Sequence, residues 1–407
     1  MTAVKNRKKT KVRWVRPRHK IVRALIYLPF YIFTTLRYRI KIDRIDTGKK
    51  RQYCVLYNHQ TAFDQFIVHI AFYQHLYHIA SEDLFSMGWI SKALTWLVAP
   101  IPFRKSTSDL TGVKNCIRVA REGGSIAMAP EGNRTYSGTT ENMKTSVASL
   151  VKALGIPLAL FRIEGGYGVH PRWSDTVRRG KMRAYVARVI EPEEYKNMTN
   201  DELFAIIKQV LTVDEREDKT LFHGKRLAEF LDRVVYVCPD CGLSVFRSEG
   251  DIISCTKCGK QIRYLPNKEL EGINCSFPYR HVKEWYDAQN EFIRNLDLTS
   301  YENVPLYKDT VSYQESIYCK HKRMIDAQAK LSVFANRFEI DTQNEKIIFL
   351  FKDMSGATVL GKNKLNLYID GKTYQIAGDK HFNAVKYLNV YHHGINNQSD
   401  EPEFLGL

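Results

Sequence analysis

Short apolar runs alternate with amphipathic stretches from residue 51 to about residue 190. Runs at 53–57, 76–80, 98–103, 125–129, 157–163 and 182–190 have the length of strands, and 63–73, 86–97, 109–121 and 146–154 have helical spacing. That alternation predicts a layered α/β domain. Residues 200–233 read as charged amphipathic helices closing it, with Leu203, Ile206, Ile207, Val210 and Leu211 at helical spacing. From about residue 313 the pattern turns to short strands at 331–335, 338–341, 346–351, 357–361, 365–369 and 373–377, with Asp370-Gly371 as a hairpin turn. A last stretch, 381–392, carries Phe382, Val385, Leu388 and Asn389 at helical spacing.

Charge changes the picture at one end only. Of the formal net charge of +17 over 407 residues, +14 sits in residues 1–50, where sixteen Lys/Arg face only Asp43 and Asp46. The basic start leads into residues 21–36, sixteen positions whose single charge is Arg23. This is shorter than the roughly 20 residues a spanning helix needs, and Pro29 interrupts it, so an interfacial or re-entrant membrane anchor is expected. The run after it offers no small-residue cleavage site of a signal peptide. A solvated basic tail before a buried helix is the plain alternative. Positive charge beside the apolar segment would keep this end on the cytoplasmic face.

The cysteines divide into two kinds. Cys238-Pro239-Asp240-Cys241-Gly242 returns as Cys255-Thr256-Lys257-Cys258-Gly259, two knuckles of the kind that close a tetrahedral thiolate site around structural zinc. All four positions are cysteine, which leaves none for a catalytic water. Thiols on the cytoplasmic side stay reduced, which favours zinc over two disulfides. Cys54, Cys116, Cys275 and Cys319 read as ordinary thiols. Residues 238–264 have a net charge of only +1, a poor footprint for phosphates, so no nucleic-acid partner is expected.

The chemistry is concentrated near the front of the α/β region. Asn58-His59-Gln60-Thr61-Ala62-Phe63-Asp64 puts a histidine and an aspartate five positions apart directly after a strand. A carboxylate on one imidazole nitrogen fixes the tautomer and raises the basicity of the other, so the pair can take a proton from a hydroxyl. The spacing recurs as His78/Asp83, His170/Asp175 and His321/Asp326, which read as surface or loop residues, so context must single out the first. His170 lies in a glycine-rich run, 165–173, suited to lining a substrate channel. Two further polar clusters follow predicted strands, Arg104-Lys105-Ser106 after Pro100-Ile101-Pro102-Phe103, and Pro130-Glu131-Gly132-Asn133-Arg134 after Ala129. Strand ends are where sites assemble in α/β domains.

Over residues 50–190 these blocks resemble the glycerolipid acyltransferase family that includes 1-acylglycerol-3-phosphate acyltransferases. The family blocks are NHxxxxD, a basic residue after an apolar strand, FPEGTR, and a proline-containing apolar strand like Ile156-Pro157-Leu158-Ala159-Leu160. Here Ala129 stands for the usual Phe, Asn133 for the usual Thr or Ser, and Leu160 where a second proline often stands. The resemblance implies attack of a lysophospholipid hydroxyl on an acyl thioester, carried by acyl-CoA or acyl carrier protein. His59 would be the base and Asp64 its orienter. Either Arg104 or Lys105, with Arg134, would hold the acceptor phosphate. Gly132 would let the backbone approach the substrate, and Glu131 would position Arg134 or the acceptor glycerol.

The expected organisation is a basic tail and interfacial anchor over 1–50 and a layered α/β acyltransferase domain over 51–233. A zinc ribbon over 234–270 and a β-barrel-like domain with a capping helix over 300–407 follow. The last resembles the pleckstrin-homology-like architecture in pattern, from which function does not follow. The competing reading is a non-catalytic membrane lipid-binding or adaptor protein that uses the ribbon and C-terminal domain for partners.

Overall fold

The computed structural model describes residues 13–45, 51–103, 109–140, 142–317 and 320–396. Arg104, Lys105 and Cys319 lie outside them.

A seven-stranded sheet forms the first half. Its strands are β1 (Ile40–Ile42), β2 (Cys54–Tyr57), β3 (Leu76–Ser81), β4 (Ile101–Phe103), β5 (Ser125–Met128), β6 (Leu158–Glu164) and β7 (Met182–Ile190), in the order β1-β7-β6-β2-β5-β3-β4. Only β6 and β7 pair antiparallel. In central β2 every residue is buried, because both faces are covered. Cys54 and Leu56 face one core with α4 (Leu110–Arg121) and α5 (Ser146–Leu154), while Tyr53, Val55 and Tyr57 face the other with α2 (Asp64–Ala71). That explains why β2 reads as a continuous apolar run with no polar face.

Two expectations change. Beyond the helix Asn200–Leu211 the chain is irregular up to a single 3-10 turn at Leu231–Arg233, so amphipathic helices do not run on through the stretch. It crosses back over the sheet loops instead, through isolated bridges Thr139↔Asp214 and Arg179↔His223. A helix also stands at Val282–Arg294, where none was expected, burying Trp285, Tyr286, Gln289 and Ile293.

The C-terminal sheet is antiparallel throughout. Its strand order, by residue, is 346–350, 337–341, 323–333, 307–316, 372–377, 364–369 and 356–360, so two meanders meet where the first and last strands pair. The outer strands Lys346–Leu350 and Gly356–Leu360 are not joined to each other, which makes a half-barrel with the helix Ala384–Asn396 against it. Asp370 and Gly371 both have positive φ, 49° and 71°, as a two-residue hairpin turn with the right twist requires.

The apolar N-terminal segment is helix α1 (Pro17–Tyr38), which continues through Pro29. No described helix is long and apolar enough to cross a membrane. α1 is fastened by its inner face: Phe30 stacks on Phe66 at 4.1 Å, Arg23 donates to the Phe72 carbonyl, and His19 Nδ1 lies 2.9 Å from the Tyr77 hydroxyl. Its outer face exposes Ile21, Leu25, Leu28, Ile32 and Leu36 at helical spacing. Beside it, α3 (Trp89–Leu97) exposes Trp89 and Trp96, and the Arg18 guanidinium lies over the Trp96 ring.

Under α1, the rings of His19, His69, His75 and His78 cluster, and ring nitrogens of all four are buried without a partner. Burial holds His19 and His75 down to about 4 and His78 to about 3, and pushes His69 well down as well. These groups refuse protons that the unfolded chain, titrating near 6.5, accepts. Their contribution is whole above pH 6.5 and is lost as the pH falls toward 4. His19, His75 and His78 should each cost roughly 1–2 kcal/mol by pH 5, and His69 acts in the same direction. Glu215, raised by burial to about 7, and Asp232, also raised by burial, act in the opposite sense but are fewer than the histidines. The urea midpoint should therefore fall between pH 7 and pH 5; a flat profile would contradict the neutral cluster.

Candidate active site

β2 and β5 are parallel neighbours, so the loops after both leave the same edge of the sheet. One loop carries Asn58 to Phe63 and the other Ala129 to Arg134. Asn58 fixes the first loop to β6: its amide donates to the Ile163 carbonyl at 2.8 Å and its oxygen accepts from the Ile163 N–H at 2.7 Å. Gln60 accepts from the Tyr167 N–H at 2.9 Å.

Asp64 is the hub of that loop. Its carboxylate is fully buried and accepts from His59 Nδ1 at 2.8 Å, Gln60 N at 2.6 Å, Thr61 N at 2.9 Å and Thr61 Oγ1 at 2.5 Å. It opens α2, yet it accepts from amides before the helix and not from those inside it, so it organises the loop and is no helix cap. A carboxylate can only accept, so the proton between the pair sits on Nδ1 and the basic lone pair of His59 belongs to Nε2. The imidazole is about a quarter exposed over a carboxylate with no exposure at all.

The second loop is tied directly to the first. Glu131, buried, accepts from the His59 backbone N–H at 2.8 Å, so it holds the histidine's main chain, a role the sequence had not suggested. Gly132 has φ of 69°, where a side chain would strain the backbone, and a Cβ there would meet nothing within 4 Å. Arg134 is 8% exposed, and burial, then the charge of Arg172, lower it to about 10, so it remains a cation at neutral pH. Its Nη1 is buried with no partner, an arrangement that an anionic ligand would satisfy. Arg104 and Lys105 follow β4, two strands beyond β5, and lie outside the described residues.

The three other histidine–aspartate spacings serve different ends. Asp83 accepts from Asn366 and Gln375 of the C-terminal sheet at 2.9 and 3.3 Å. Asp175 binds Arg233 and Lys362, and Asp326 accepts from the Gln328 and Gln343 amides. His170 is buried, not a surface residue, with its Nδ1 3.2 Å from the Tyr38 hydroxyl; burial, then the Arg134 charge, hold it down to about 3. Tyr38 was missed as a member of this neighbourhood, and Asn58 and Arg172, although inside the first block and the glycine-rich run 165–173, were given no role of their own. Asn58 had a signal in its place directly before His59 and Arg172 in the glycine-rich run around it; Tyr38 had none.

The four ribbon cysteines come together. Their sulfurs all lie within 4.8 Å of one another, and Cys238 and Cys258 Sγ are 3.8 Å apart. A tetrahedron with Zn–S bonds of about 2.3 Å has edges of about 3.8 Å, so the set fits zinc. Gly242 and Gly259, just after each second cysteine, both have positive φ. A cavity of about 900 Å³ between the ribbon and the C-terminal sheet is lined by Asp232, Asp309, His381 and Lys386, among others. There Asp232 pairs with His381 and Asp309 with Lys386, each at 2.7 Å, and none of the residues around His59 borders it.

Residues 39–163 match the family model described as Acyltransferase. Residues 232–266 match the model described as DNA directed RNA polymerase, 7 kDa subunit, a zinc ribbon. No curated protein matches the chain. Among solved structures, the 1-acyl-sn-glycerophosphate (LPA) acyltransferase PlsC from Thermotoga maritima is similar at 20% identity and a TM-score of 0.41, over 47% of this chain and 78% of that one. His59, Asp64, Glu131 and Arg134 all fall inside the first matched stretch and the four cysteines inside the second, so the chain carries an acyltransferase-family domain over residues 39–163 and a zinc ribbon over residues 232–266.

Proposed function

We propose that this chain transfers a fatty acyl group from an acyl thioester to the free hydroxyl of a lysophospholipid, with 1-acylglycerol 3-phosphate as the acceptor, at a membrane surface. The observation that carries this reading is the His59 imidazole held by the buried Asp64 carboxylate. His59 Nε2 takes the acceptor's hydroxyl proton as that oxygen attacks the thioester carbonyl. Asp64 stabilises the imidazolium so formed. Collapse of the tetrahedral intermediate breaks the C–S bond, and the departing thiolate takes the proton back. The thioester is already activated, so no acyl-enzyme is required. Arg134, buried and with an unpartnered Nη1, is suited to the acceptor phosphate, and guanidinium binds phosphate oxygens in a fork. Arg104 or Lys105 would share that duty. The donor is acyl-CoA or acyl carrier protein, and zinc has a structural part only.

The assay that tests this offers the purified full-length protein an oleoyl thioester and a panel of lysophosphatidate, glycerol 3-phosphate and monoacylglycerol, and reads the products by mass. Phosphatidate from lysophosphatidate is expected. An absence of acylated product from every acceptor would defeat the reading.

The membrane surface and its cytoplasmic face enter the proposal through α1. An apolar stripe from Ile21 to Leu36 beside Trp89 and Trp96, flanked by Arg16, Arg18, Lys20 and Arg37, suits an interfacial helix on anionic lipid. Burying a leucine is worth about 1.5–3 kcal/mol, so Leu25→Asp with Leu36→Asp should weaken sedimentation with anionic vesicles by at least about tenfold. Unchanged sedimentation would remove α1 from the membrane contact.

A further inference from the structure

The C-terminal half-barrel reaches back to the candidate active site through one buried side chain. Arg172 is 2% exposed and spends its guanidinium on three backbone carbonyls. Nη1 donates to the Arg134 carbonyl at 2.8 Å, Nη2 to that of Val359 at 2.7 Å, and Nε to that of Gly361 at 2.7 Å. The first belongs to the loop that carries the Arg134 cation. The other two belong to the outer strand Gly356–Leu360 and the turn after it, in the half-barrel. An outer strand leaves carbonyls without a ladder partner, and here a fork of fixed geometry takes them up. Tyr136, two residues past Arg134, lies under the Arg172 guanidinium at 3.9 Å and donates from its hydroxyl to the Lys362 carbonyl at 2.8 Å. Lys362 in turn binds Asp175 at 2.6 Å.

We propose that Arg172 is a positioning residue for the acceptor, setting Arg134 from the edge of the C-terminal half-barrel, so that this half of the chain is a working part of the acceptor site. The proposal rests on the acyltransferase reading and extends it. Glu131 ties the start of this loop to His59, whereas Arg172 ties its end to the half-barrel. The base and the phosphate-holding cation are thus fixed by different anchors. Loosening the second should spoil acceptor binding and leave proton abstraction alone. A displacement near 1 Å can cost on the order of a hundredfold in such a site.

The test uses full-length protein carrying Arg172→Lys, whose single ammonium keeps the charge but cannot span three carbonyls. The KM for lysophosphatidate should rise about tenfold or more. The KM for the thioester, the rate of thioester hydrolysis without acceptor, and transfer to uncharged monoacylglycerol should stay within about twofold, since none of them needs the phosphate cation. Tyr136→Phe removes one hydroxyl on the same bridge and should raise the lysophosphatidate KM by about two- to fivefold with the same selectivity. If Arg172→Lys does not fold, the Tyr136→Phe result decides alone. An unchanged lysophosphatidate KM, or a parallel loss with every acceptor and in hydrolysis, overturns the proposal. Wild-type protein inactive on all acceptors defeats the acyltransferase reading itself, which is a different outcome.

Discussion

His59→Ala should lower acyl transfer by about two to four orders of magnitude, the range of a positioned general base, with the melting temperature nearly unchanged. The two halves of that expectation come from different atoms. In the proposed mechanism the imidazole supplies the base, but the loop is held by the His59 main-chain N–H on Glu131 and by the Gln60 and Thr61 donors on Asp64. None of those bonds needs the ring. Asp64→Asn makes the complementary prediction. Its carboxylate accepts from four donor groups in a site without solvent, and an amide would turn its own N–H groups toward some of them. Leaving buried donors unpaired costs about 1–3 kcal/mol each, so this variant should lose stability as well as activity. Kinetics and thermal melts on the two variants separate base from scaffold. A His59→Ala protein retaining a tenth or more of wild-type transfer would show that another group takes the proton.

Removing zinc should have the largest effect on folding. Cys238 and Cys255 are buried in the core that also holds Trp285, Tyr307 and the half-barrel, and the Trp285 indole donates to the Val237 carbonyl beside the first knuckle. Without an ion the sulfurs take up protons and nothing draws the two knuckles together, while zinc binding in small ribbons is worth about 10–16 kcal/mol. A strong chelator, or Cys255→Ser, should therefore lower the melting temperature by ten degrees or more, and the purified chain should contain about one zinc. Because the half-barrel shares that core and is joined through Arg172 to the loop that carries Arg134, the same treatment should reduce activity although no ribbon cysteine bonds to the residues around His59. A protein that carries no zinc and ignores the chelator would argue for thiols that merely lie close.

What could be read from the sequence follows from what side chains advertise. The runs at 53–57 and 125–129 are apolar on both faces and lie beside one another in the sheet, so the two polar blocks after them had to share an edge. The cysteine knuckles carry their geometry in their spacing. Residues 212–233 misled because Leu221 and Phe222 fall by spacing on the same helical face as Leu203, Ile207 and Leu211, whereas the chain there is held by bridges to distant loops. The helix Val282–Arg294 did have a signal, in Trp285, Gln289 and Ile293 at helical spacing, but its charged neighbours obscured it. The Arg172 joint had none. Its acceptors are main-chain carbonyls up to 189 positions away, which any residue would provide.

The helix that bears the outward apolar stripe also forms a wall of the reaction loop. Phe33 of α1 packs edge-on against Phe63, the residue before Asp64, at 5.3 Å, and Phe30 stacks on Phe66 one turn further on. A lysolipid could then be acylated with its tail still in the leaflet. Drawing a chain of about sixteen carbons into water costs on the order of 13 kcal/mol at about 0.8 kcal/mol for each methylene, more than most binding sites return. On the proposed function, a hydroxyl presented at the headgroup level would avoid that extraction, and the product's second chain would enter the same leaflet as it forms.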